Sequence, residues 1–119
     1  MSDAEATNAL PSLPATDAIV ETTTNALLLM DVREPHEWDA GHSPDAWSVP
    51  MSQLTERLAE VPTDRRLAIV CHAGSRSARV TEALIEAGYD AINVEGGMLA
   101  WVRAGGEIVS DGPGEPTVD

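Results

Sequence analysis

Two uninterrupted apolar runs of strand length, Ala26 to Met30 and Leu67 to Cys71, constrain this chain more than any other feature. A continuous run with no polar alternation suits a strand covered on both faces, as in a parallel sheet with helices above and below. Shorter strand signals lie at Ala46–Val49, stopped by Pro50, and at Ala91–Val94. Helix signals fall between them. Glu34–Ala40 has Pro35 in its first turn and Gly41 after it, and Ser52–Glu60 places Leu54 and Leu58 on one face. Ser75–Ala87 turns Val80 and Leu84 inward and ends at Gly88, and Gly97–Arg103 is closed by Gly105-Gly106. Strands alternating with helices imply a three-layer α/β/α domain with a mainly parallel central sheet.

The length, 119 residues, is that of one domain, and an apolar fraction of 43% is enough to fill its core. No apolar run exceeds five residues, whereas a transmembrane helix needs about 20, and no signal-peptide pattern follows Met1. A soluble, cytoplasmic protein is expected. Residues 1–9 read as an acidic tail, 10–109 as the domain and 110–119 as a turn-rich C-terminal tail. Leu10, Leu13, Ile19 and Val20 are the groups that can tack the start onto the body.

Charge excludes several functions. Twenty acids face seven bases, for a net charge of −13, and every base is arginine. Without lysine there is no Schiff-base chemistry and no lysine phosphate loop. The negative field disfavours nucleic acid and anionic membranes as partners. A small anion can bind only where local donors overcome that field. The three histidines have no metal-site spacing, so neither a metal nor another cofactor is expected.

One place meets the requirement. Cys71, the only cysteine, ends the run Leu67–Val70 and precedes His72-Ala73-Gly74-Ser75-Arg76, where the longest helix begins. Strand ends in open parallel sheets are where reacting groups collect. A loop of small residues with Gly74 in it can aim backbone N–H groups at one centre, and the helix start adds more. A thiol there is stabilised as thiolate. Arg76 adds a cation, with Arg79 one turn further on the same side. A lone cysteine forms no intrachain disulfide, which suits a reducing compartment.

At these residues the sequence resembles the rhodanese family of single-domain sulfurtransferases. Four blocks in order carry the resemblance. They are Leu29-Met30-Asp31-Val32-Arg33-Glu34 with Glu37-Trp38 and Gly41–Ala46; Val49-Pro50 and the helix holding Leu54 and Leu58; the Cys71–Arg76 loop with Ser77-Ala78; and Gly96-Gly97 with Trp101 and Gly105. The resemblance implies that Cys71 takes up a sulfane sulfur as a persulfide, and that His72, Ala73, Gly74, Ser75 and Arg76 form the substrate cradle. It also implies that Asp31 and Arg33 brace the site from behind. The donor would be thiosulfate or a small persulfide, and the acceptor a thiol, cyanide or a protein. Phosphatases and arsenate reductases of related fold use a loop one residue longer, which disfavours that activity here. A sulfur carrier or regulatory module acting on a protein partner is the alternative.

Overall fold

The computed structural model describes residues 10–118. Five strands form one sheet in the order β1-β5-β4-β2-β3, and every pairing is parallel. They are β1 (Ser12–Leu13), β2 (Leu28–Asp31), β3 (Trp47–Ser48), β4 (Leu67–Val70) and β5 (Ala91–Val94). The helices are α1 (Ala15–Thr23), α2 (Pro35–Ala40), α3 (Leu54–Arg57), α4 (Ser75–Glu86) and α5 (Gly97–Arg103).

Strand alternation sorts the core into two layers. Ala68 and Val70 of β4 pack with Leu29, Ile92 and Val94 against α1 and α5, where Ala15, Ala18, Met98 and Trp101 meet them. Leu67 and Ile69 point the other way, with Met30 and Ala91, toward Val80 and Leu84 of α4 and Leu54 before Leu58. Cys71 continues this second face. All four residues of β4 are buried, as a central strand covered on both sides requires. The α4 stripe, Ser77, Val80, Thr81 and Leu84, has the three-and-four spacing of one helix face.

Three segments differ from the sequence reading. Leu13 and Ile19 do pack on the core, but they do so from an edge strand and a nine-residue helix. The buried face of α1 is Ala15, Ala18 and Thr22, too small and too polar to stand out as an apolar stripe, while Val20 is exposed. Residues 51–60 are not one helix: a single α turn lies between two 3₁₀ turns. The Ser52 hydroxyl here donates to Glu34 Oε1 at 2.7 Å.

The third difference is at the C-terminus. The stretch expected as a tail from 110 runs back along α2, where Asp111 N–H donates to the Asp39 carbonyl and Thr117 N–H to the Ala40 carbonyl. Gly41 has no side chain to obstruct this, and a Cβ there would overlap the Thr117 carbonyl. The reading of residues 1–9 lies outside the described residues. Among the described residues no helix is long and apolar enough to cross a membrane.

Leu84 is fully buried under the sheet. Leu84→Ala is expected to lower stability by about 2–5 kcal/mol through lost burial and the cavity left behind, measured as a shift of the urea unfolding midpoint with unchanged slope.

Candidate active site

Cys71 follows β4 directly, and the chain then curls back into α4. The curl is held from outside: Met98 N–H donates to the Cys71 carbonyl at 2.8 Å and Leu99 N–H to the His72 carbonyl at 3.1 Å. These donors belong to the first turn of α5, which would otherwise leave them without partners. Gly97, with φ +61°, lies against the same two carbonyls, and a Cβ there would come within 2.5 Å of both oxygens. Gly96 and Gly97 thus provide a turn and a close approach. Gly74 adopts φ +113°, a conformation side chains disfavour.

With the His72 carbonyl turned outward, the N–H of the same peptide, that of Ala73, turns toward the sulfur. Gly74 N–H donates to Cys71 Sγ at 3.1 Å. Ser77 Oγ lies 3.2 Å from the same sulfur and also reaches the Gly74 carbonyl. Burial of the sulfur pushes its pKa up, but the Ser77 hydroxyl and the N–H groups of Ser77, Gly74 and Ala73 outweigh it, so the thiol is more acidic than usual. Cys71 is 1% exposed and packs in the core layer under α4. In that low-dielectric setting the peptide dipoles act strongly on it.

The other residues expected at the site divide into three groups. Ala73 and Ser75 are exposed on the outside of the loop. His72 is half-buried and lines a cavity of about 320 Å³, together with Arg33, His36, Glu37 and the C-terminal Thr117 and Val118. Asp31 and Arg33 form a buried pair at 2.8 Å. Arg33 adds hydrogen bonds to the carbonyls of Glu37 and Gly41, which ties the end of β2 to α2.

Arg76, expected in the substrate cradle, pairs with a carboxylate of α2. Its Nη1 and Nη2 donate to Glu37 Oε1 and Oε2, both at 2.8 Å. The guanidinium is therefore shared with a carboxylate of α2. Glu37 also accepts the Glu34 N–H at 3.0 Å, closing a capping box with the Glu34 side chain. The hydrogen bond from Arg76, helped by the Glu34 N–H and by the charges of Arg76 and Arg33, outweighs burial and holds the Glu37 carboxyl at about 2.

Ser77 and Glu37 are the two residues that sequence reasoning missed. A polar residue on the buried stripe of α4 was the available signal for Ser77. Glu37 read only as part of a family block, because its partner lies 39 positions away.

Comparison with known proteins agrees with this geometry. The profile of the rhodanese-like domain family matches residues 15–104. A sulfurtransferase of Allochromatium vinosum is 40% identical over 88 residues, covering 73% of this chain and 82% of that protein. The probable adenylyltransferase/sulfurtransferase MoeZ of Mycobacterium tuberculosis is 41% identical over 80 residues, covering 65% of this chain but 20% of that protein. The crystal structure of a rhodanese-related protein from Thermoplasma volcanium superposes with a TM-score of 0.78 at 32% identity, covering 83% of this chain and 97% of that one. The chain belongs to the rhodanese-like domain family.

Ser77→Ala is expected to raise the Cys71 pKa, since it removes the hydroxyl that favours the thiolate. The pH dependence of iodoacetamide alkylation should shift to higher pH than in wild type, and an unmoved curve would remove Ser77 from the site. A second expectation concerns acid stability. The Glu37 carboxyl sits below its ordinary 4.5 when folded, so the pair's contribution is full above that value and is lost as pH falls toward 2. Glu37→Gln should flatten the loss of stability over this range, as read by urea unfolding at stepped pH.

Proposed function

We propose that this protein is a sulfurtransferase that carries a sulfane sulfur on Cys71. The observation that carries the reading is the convergence of the Gly74 N–H and the Ser77 hydroxyl on the Cys71 sulfur at the end of β4. Kinship with the Allochromatium vinosum sulfurtransferase supports the reaction class.

Two steps follow from the chemistry. The Cys71 thiolate attacks the outer sulfur of thiosulfate or of a hydropersulfide, and sulfite or a thiol leaves with the electron pair of the broken S–S bond. The Cys71 persulfide, held by the same loop N–H groups, then passes its outer sulfur to a thiol, cyanide or a protein thiolate and regenerates the Cys71 thiolate. This is covalent catalysis with preorganised dipoles stabilising a sulfur anion. The chain has one cysteine, so no intrachain disulfide discharges the intermediate and the acceptor comes from outside. A working free thiol suits a reducing compartment such as the cytoplasm.

Cys71→Ser is expected to lose sulfur transfer while keeping its far-ultraviolet circular dichroism. Intact mass spectrometry after treatment with a sulfane donor should show one added sulfur on wild type, removable by cyanide, and none on the variant. Turnover near wild type in Cys71→Ser would exclude this mechanism.

A further inference from the structure

The two guanidiniums that meet Glu37 already have partners. Arg76 meets Glu37 in a two-pronged pair, 2.8 Å on each prong, and both side chains keep only part of their surface in solvent. Glu37 is fixed from a second direction by the Glu34 N–H. The Glu34 carboxylate is itself held by the Ser52 hydroxyl at 2.7 Å. For Glu37 to swing away, the capping box of α2 must open. Arg33, which lines the cavity beside His72, is 2% exposed. It gives Nε and Nη2 to Asp31 and its remaining contacts to the Glu37 and Gly41 carbonyls. The cavity beside His72 is therefore lined by Arg33, which is paired with Asp31, and by Glu37, which is paired with Arg76.

This arrangement bears on the choice of donor. Thiosulfate brings a dianion to a thiolate in a strongly acidic protein, and its approach needs a cation. A hydropersulfide, R–S–S–H, does not.

We propose that Glu37 sets donor choice: by holding Arg76 it withholds the cation a thiosulfate dianion needs and leaves the site to hydropersulfides of uncharged thiols. The proposal rests on the Cys71 sulfurtransferase reading. In the preferred step the Cys71 thiolate attacks the outer sulfur of R–S–S–H. A new S–S bond forms at Cys71 and the donor S–S bond breaks. The electron pair leaves on R–S⁻, which takes the S–H proton, giving Cys71–S–S⁻ and R–SH. No external oxidant or reductant enters.

The test measures kcat/KM for thiosulfate and for the hydropersulfide of 2-mercaptoethanol, with cyanide as common acceptor. In Glu37→Gln the amide oxygen can still accept the Glu34 N–H, and the guanidinium loses its counter-charge. The thiosulfate-to-hydropersulfide ratio should rise about tenfold, the scale of one ion pair at a half-buried site, through a lower KM for thiosulfate. A fixed ratio overturns the proposal, as does a parallel loss with both donors, which would make Glu37 a structural brace. The double variant Glu37→Gln with Arg76→Gln removes both charges together and should keep the ratio within about threefold of wild type. A fall of tenfold or more would show that Arg76 already serves thiosulfate, and it too overturns donor selection. Transfer that survives in Cys71→Ser brings down the underlying sulfurtransferase reading and the proposal with it. Transfer lost in Cys71→Ser with the ratio unmoved in Glu37→Gln brings down donor selection alone.

Discussion

The two hydrogen bonds from the start of α5 to the Cys71 and His72 carbonyls are the constraint on which the site depends. A peptide plane is rigid, so fixing a carbonyl outward fixes the next N–H on the opposite side. The plane held at the His72 carbonyl carries the Ala73 N–H, which faces the sulfur beside the Gly74 N–H. The device needs Gly97 to bring α5 close and Gly74 to accept a positive φ. It also meets two needs at once. The first donors of α5 gain acceptors, and the sulfur gains a ring of dipoles that require no reorganisation when charge develops on it.

Electrostatics at the site is therefore mostly a matter of backbone. The groups that make the thiol acidic are one hydroxyl and three peptide N–H groups, acting against burial. Arginine side chains in this chain are largely engaged elsewhere: Arg33 with Asp31, Arg57 with Glu60, Arg66 with Asp90 and Arg76 with Glu37. In a protein with a net charge of −13, an exposed cation attracts a carboxylate readily. Peptide dipoles cannot be captured in that way. Their orientation is set by the fold, and their field is strongest where solvent is excluded, as it is around Cys71, which is 1% exposed.

The parts of the fold visible in the sequence are those written in local pattern. The buried strand β4, the stripe of α4 and the glycine pair before α5 each announce themselves within a few residues, and the structure places β4, β5 and α5 at the expected bounds. Cys71 stood out for the same reason, since strand, small loop and helix start are adjacent. What escaped notice depended on partners distant in sequence. The α1 helix packs through alanines and a threonine, whose apolar signal is weak without the α5 surface they meet. The C-terminal segment docks by backbone hydrogen bonds to α2, and backbone carries no side-chain signature. Glu37 satisfies a local rule, the capping box, so nothing in the sequence asked for a second role.

That double role of Glu37 also bears on the competing reading of the loop. A phosphoryl-transfer site needs an arginine whose two donors face the phosphate oxygens. Here four residues separate Cys71 from Arg76, and both terminal nitrogens of that arginine are turned to α2. Recruiting it to a tetrahedral anion would require breaking a two-pronged pair and stranding a carboxylate that is already half-buried, a change with a large penalty. The donors that remain at the sulfur are few and short-range, a Gly74 N–H and a Ser77 hydroxyl with their neighbouring peptides. A cradle with so few donors fits the proposed sulfur chemistry on Cys71 better than a phosphate with four oxygens.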